Sequence, residues 1–120
     1  MIIDDDLYIR DLYEEIFKDA GFSVTSAVDG KDGLEKIRQG GYSVILLDVM
    51  MPKLDGLGVL TELRTKPALQ PNGPIILLTN LAHDQVIKEA MAKGVEGYLI
   101  KADLNPDELV RKVKGLAGLQ

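Results

Sequence analysis

Apolar runs alternate along the chain with amphipathic stretches, and the alternation predicts five strand–helix units. The clearest run, Val44-Ile45-Leu46-Leu47, ends on Asp48 and passes through Pro52 and Asp55-Gly56 into the next helical stretch. A short apolar run bounded by turn signals suits a strand covered on both faces. On this reading strands lie over residues 1–3, 22–27, 43–48, 75–79 and 97–100. In the second, Phe22, Val24 and Ser26 alternate with Ser23, Thr25 and Ala27. Helices are predicted over 7–20, 30–39, 57–65, 84–93 and from 106 to about 114. The first carries Leu7, Leu12, Ile16 and Phe17 at helical spacing, and the second turns Leu34 and Ile37 inward. Gly21, Gly40-Gly41 and Gly94 supply the stops. Asn105, Pro106, Asp107 and Glu108 form an N-cap, a first-turn proline and an acidic first turn. Residues 66–74, with three prolines and Asn72-Gly73, read as a loop. Five such units predict an α/β fold, a five-stranded parallel sheet with helices on both faces, because right-handed crossovers deposit helices there.

Composition narrows the setting. The 120 residues make one domain, 1–120, with 46% hydrophobic and 28% charged residues, an ordinary globular profile. A formal net charge of −5 argues against direct nucleic-acid binding, which needs a basic face. There is no cysteine, so disulfides and thiolate catalysis are excluded. No apolar run approaches a membrane span and Met1 opens no signal-peptide pattern, so the expected setting is cytoplasmic with no membrane contact.

The chemistry gathers at the strand ends. The carboxyl ends of strands one, three, four and five finish on Asp4-Asp5-Asp6, Asp48, Thr79 and Lys101. In an open parallel sheet those ends share one edge, where ligands bind. Each residue alone has a plain reading: a solvated turn or helix cap for Asp4–Asp6, a strand former for Thr79, a solvent-facing charge for Lys101. Asp48 is harder to dismiss, since aspartate disfavours strands and here it follows four apolar residues. Together they form a constellation. Several carboxylates at one edge call for a cation, and oxygen-only ligands favour Mg²⁺. A hydroxyl and an ammonium beside it suit a transferring phosphoryl group, and an aspartate carboxylate is a known acceptor of one.

With Ile2-Ile3-Asp4-Asp5-Asp6, Ile45-Leu46-Leu47-Asp48-Val49-Met50-Met51-Pro52, Ile75 to Thr79 and Gly97-Tyr98-Leu99-Ile100-Lys101 in this order and spacing, the chain resembles the receiver domains of two-component response regulators. The resemblance covers residues 2 to about 118 and implies the flavodoxin-like strand order 2-1-3-4-5. It implies that Asp48 takes a phosphoryl group from a sensor histidine kinase or a histidine phosphotransfer protein. Asp5, Asp48 and the backbone carbonyl of Met50 would hold Mg²⁺, with Asp4 acting through a water. Thr79 and Lys101 would contact the phosphoryl group, and Tyr98 would be the switch aromatic that turns inward as Thr79 moves. The readout surface would span residues 84–114 and face a downstream effector protein or output domain, with homodimerisation on activation as a further expectation. The resemblance implies a signalling receiver that promotes its own phosphorylation and dephosphorylation, and no enzyme in the ordinary sense.

Several positions depart from the family pattern. The first strand is short, so residues upstream of Met1 are expected. Ala102 stands where proline usually follows the lysine. A cis bond there costs about 2.5–4 kcal/mol against about 0.5–1 before proline, so either a trans bond with a shifted loop or a strained one is expected. Asn80 replaces a small residue and narrows access to Asp48; Leu81 and Met50 add apolar bulk that hinders an attacking water and lengthens the phosphorylated lifetime. His83, the one histidine, reads as a solvent-facing helix-start residue. A pseudo-receiver that no longer takes phosphate is the alternative, kept open by Ala102 and Asn80 and opposed by the complete set of acids, Thr79 and Lys101. A flavodoxin would need a hydroxyl- and glycine-rich loop where Asp4-Asp5-Asp6 stands, and an aspartyl phosphatase would need an aspartate at Met50.

Overall fold

The computed structural model describes residues 1–51, 53–79, 84–101 and 105–118. The Asn80, Leu81, His83 and Ala102 expectations, including the Lys101–Ala102 peptide bond, lie outside the described residues. The chain runs β1 (Ile2–Ile3), α1 (Leu7–Asp19), β2 (Ser26–Ala27), α2 (Gly30–Gln39), β3 (Ile45–Asp48), α3 (Gly56–Thr65), β4 (Ile75–Thr79), α4 (Asp84–Ala92), β5 (Gly97–Ile100) and α5 (Pro106–Ala117). All strand pairs are parallel and the sheet order is β2-β1-β3-β4-β5.

Successive strand residues point to opposite faces, and each face has its own core. Ile3, Ile45, Leu47 and Leu77 pack with Leu34, Ile37, Val59, Leu60 and Ala90 of α2, α3 and α4. Ile2, Leu46, Ile76, Leu78 and Leu99 pack with Tyr13, Phe17, Leu109 and Val113 of α1 and α5. The unbroken apolar run before Asp48 is therefore what a doubly covered strand requires. Register aligns Asp48 with Leu78 and Thr79 with Ile100, so the site residues emerge at one edge.

Several elements differ from the sequence expectation. β2 pairs over Ser26–Ala27 where a strand was predicted over 22–27, because its one neighbour, β1, offers two paired residues. Phe22 and Val24 still pack against the core from irregular backbone. In α1 the apolar spacing pointed to Leu7, Leu12, Ile16 and Phe17; Phe17 is buried and Ile16 packs partly against the core, but Leu7 is 61% and Leu12 38% exposed, and the other buried residue is Tyr13. Helix α5 runs one turn further than predicted and closes on Gly118 in the left-handed conformation.

Candidate functional site

The turn after β1 is built by its own three acids. Asp6 is the N-cap of α1, its Oδ1 accepting the N–H groups of Tyr8 at 2.9 Å and Ile9 at 3.2 Å. Asp4 is fully buried, and its Oδ1 accepts the Asp6 N–H at 3.0 Å. Arg10, one turn into α1, donates from Nη1 to the Asp4 backbone carbonyl at 2.7 Å and pins the turn to the helix. Asp5, between them, is left exposed at the mouth.

Asp48 leaves β3 into a turn that has no room for a side chain at Gly56, where a Cβ would lie 2.6 Å from the Asp48 backbone oxygen. Gly56 donates to the Val49 carbonyl at 2.8 Å, and Asp55 caps α3 through the Gly58 N–H at 2.7 Å. Asp48 and Thr79 are both buried, whereas the Met50 side chain is 77% exposed beside the mouth. Tyr98, on β5, is 44% exposed, between buried Gly97 and Leu99.

Lys101 ties the two strands' acids together. Its ammonium lies 2.6 Å from Asp4 Oδ2 and 3.4 Å from Asp48 Oδ1, so its tighter partner is Asp4. Carboxylate oxygens of Asp4, Asp5 and Asp48 lie within 4.8 Å of one another. Burial pushes the Asp48 carboxyl up; Lys101 pulls it back and the charges of Asp4 and Asp5 push it further, leaving it at about 6. Burial pulls the Lys101 ammonium down, but its hydrogen bond with Asp4 and the charge of Asp48 outweigh that and the net direction is up. Sequence reasoning missed two neighbours. Arg10 is one. The other is buried Tyr13: burial pushes its hydroxyl up, and the charges of Lys101, Asp4 and Asp48 act on it. The i, i+4 spacing of Tyr13 and Phe17 was the available signal for it.

The donor set fits a hard divalent cation: three carboxylates, no nitrogen or sulfur ligand among them, with room at the exposed side for water. Both oxygens of Asp4 already have partners, so Asp5 and Asp48 are the better placed to touch an ion directly.

Residues 1–114 match the family model described as the response regulator receiver domain. The chain is 32% identical over 116 residues to the gliding motility regulatory protein of Myxococcus xanthus, covering 97% of this chain and 15% of that protein. It spans under half the length of other curated regulators that it matches. Among solved structures, the receiver domain of the Francisella response regulator 1452 superposes with a TM-score of 0.82 at 34% identity, covering 98% of this chain and 93% of that one. The response regulator TrrA from Thermotoga maritima, solved in complex with Mg(2+)-BeF, superposes with a TM-score of 0.79 at 35% identity, covering 96% and 95%.

Proposed function

The chain belongs to the response regulator receiver domain family, and from that premise we propose that Asp48 accepts a phosphoryl group from a phosphohistidine on a sensor histidine kinase or histidine phosphotransfer protein. An Asp48 carboxylate oxygen forms the new O–P bond as the P–N bond breaks, and the electron pair leaves with the imidazole. Lys101 neutralises charge on the phosphoryl oxygens and Thr79 donates its hydroxyl to one of them. Asp5, Asp48 and the Met50 carbonyl would hold Mg²⁺, with Asp4 acting through a water, and the ion would supply further charge neutralisation there. The movement of Thr79 toward the phosphoryl group then draws Tyr98 inward. That change is read on α4, β5 and α5 (residues 84–114) by an effector protein or output domain, and the reading extends to association of two activated copies. Transfer takes place in the cytoplasm, and no nucleic acid is contacted directly.

The observation that carries this reading is Asp48 itself: a buried carboxylate at a strand end, 3.4 Å from the Lys101 ammonium and within 4.8 Å of two further carboxylates. A structural aspartate has no need of that company, whereas an acceptor becomes more negative on phosphorylation and needs the Lys101 ammonium together with a cation that the neighbouring carboxylates would hold. Incubation with acetyl phosphate and Mg²⁺, followed by intact mass, tests it. The wild type is expected to gain one phosphoryl group and Asp48→Asn none; no gain in the wild type would leave an interaction module of the same fold.

A further inference from the structure

Three strands of the core beneath α1 and α5 run into charge. Ile2, Leu46 and Leu99 belong to that core, and two residues after each come Asp4, Asp48 and Lys101. Side chains alternate along a strand, so these charges continue the sheet face that α1 covers. The buried residues of α1 are Tyr13 and Phe17, one turn apart. Phe17 meets the Phe22 ring edge-on at 5.4 Å, ahead of β2 and toward the amino ends of the strands. Tyr13, one turn closer to the helix start at Asp6, is the last buried residue of α1 before the charges.

Packing uses the Tyr13 ring and has no use for its hydroxyl. A buried tyrosine hydroxyl ordinarily has a hydrogen-bond partner; among the described residues this one makes no hydrogen bond. The charges that act on it are those of Lys101, Asp4 and Asp48, and it acts in turn on Lys101. A demand for it arises once Asp48 carries a phosphoryl group. Lys101 is held at 2.6 Å by Asp4 and stands 3.4 Å from Asp48, so turning to the phosphoryl oxygens loosens it from Asp4. Asp4 is fully buried, with Oδ1 taken by the Asp6 N–H and Oδ2 by Lys101. Removing one partner of a buried ion pair is strongly destabilising. Arg10 is already engaged with the Asp4 backbone carbonyl. A water on the ion would supply one donor, and a carboxylate has about four acceptor sites.

We propose that Tyr13 is a positioning residue for Lys101: as the ammonium moves from Asp4 to the phosphoryl group, the Tyr13 hydroxyl donates to Asp4 Oδ2 and accepts one of the ammonium's N–H groups. A tyrosine hydroxyl suits both contacts because it donates one hydrogen and accepts at the same oxygen. Asp4 then keeps a donor, and Lys101 is released toward Asp48 without leaving a bare carboxylate in the core. The inference rests on Asp48 being the acceptor. It acts on the rate of transfer through Lys101 and leaves the direct ion ligands alone.

Time courses of phosphorylation by acetyl phosphate in Mg²⁺, read by intact mass, test it on wild type, Tyr13→Phe, Lys101→Met and the double variant. Tyr13→Phe keeps the ring and should stay folded by circular dichroism, while its rate falls about fivefold, the scale of one net hydrogen bond. In the Lys101→Met background the same change should leave the rate within about twofold, because the hydroxyl acts through the ammonium. A hydroxyl that served packing alone would cost the same in both backgrounds. Tyrosine labelled with ¹³C at Cζ gives a second reading in the unaltered chain. The Tyr13 signal should move when Mg²⁺ and beryllofluoride are added to wild type, and stay in place in Lys101→Met. Equal rates for Tyr13→Phe and wild type, an equal loss in both backgrounds, or a wild-type Tyr13 signal that stays in place each overturns the proposal and leaves Asp48 as the acceptor. A wild type that gains no phosphoryl group overturns both.

Discussion

As the proposed phosphoryl acceptor, Asp48 has to be buried enough to be held and charged enough to attack, and those demands oppose each other. Burial and the neighbouring Asp4 and Asp5 raise its carboxyl to about 6 from the ordinary 3.8, with Lys101 limiting the rise. The folded value lies above the unfolded one, so between those pH values the folded chain keeps a proton that the unfolded chain has lost. Stability contributed by this group is therefore present at low pH and falls as pH rises through the window. Asp48→Asn removes the titration. In EDTA, the variant is expected to gain stability over wild type at pH 8 relative to their difference at pH 5, by about 1 kcal/mol since solvent still screens the carboxylate. Urea unfolding at the two pH values measures it, and an identical difference at both would show that Asp48 does not titrate there. The place of Asp48 at the strand end, beside the other acids, was legible because a carboxylate interrupts an apolar run. Arg10 was not, since its contact is with the backbone carbonyl of Asp4, a partner that side-chain types do not reveal.

The elements show the same division. β3 and β4 are legible because strands covered on both faces need continuous apolar runs, and Ile45–Asp48 and Ile75–Thr79 supply them. The orientation of α1 was not, because apolar residues occur on more than one side of it. Docking against Ile2, Leu46 and Leu99 keeps Phe17, as its spacing had indicated, but takes Tyr13 in and leaves Leu7 and Leu12 outside. The meeting of α2 with the loop before α3 is likewise a tertiary fact. Gly30, the first residue of α2, faces the Leu54 backbone so closely that a Cβ would run into the Leu54 carbonyl oxygen. Beside it Asp29 pairs with Lys53 at 3.4 Å, and Lys53 itself has φ 68°. The loop that leaves Asp48 is thus held from outside by the start of α2. Gly30→Ala must push backbone against backbone, and is expected to cost about 2–3 kcal/mol. Lys31→Ala, at an exposed position of the same helix, should stay within about 0.5 kcal/mol of wild type. Equal effects in chemical denaturation would show that the close approach carries no weight.

At the scale of the whole molecule, the sheet is one body whose ends meet in a cluster of like charges. Asp4 and Asp5 follow β1, Asp48 ends β3, and Lys101 follows β5, so the cluster draws on three strands. Lys101 offsets part of the repulsion, but one ammonium shared by Asp4 and Asp48 leaves Asp5 without a cation among the described residues. A divalent ion bound only by the folded chain would complete the neutralisation and stabilise the entire fold by mass action, because the unfolded chain does not gather these acids. At Mg²⁺ one hundred times its dissociation constant the gain is about 2.7 kcal/mol. Thermal unfolding in EDTA and in Mg²⁺, with sodium chloride added to match ionic strength, measures it. The melting temperature is expected to rise in the wild type and to stay nearly level in Asp5→Asn, which keeps the Asp4–Lys101 pair and so keeps the fold. A rise of equal size in Asp5→Asn would move the ion away from this cluster. The comparison separates the local geometry from a general response of a chain with net charge −5, since that response would survive the loss of one exposed carboxylate.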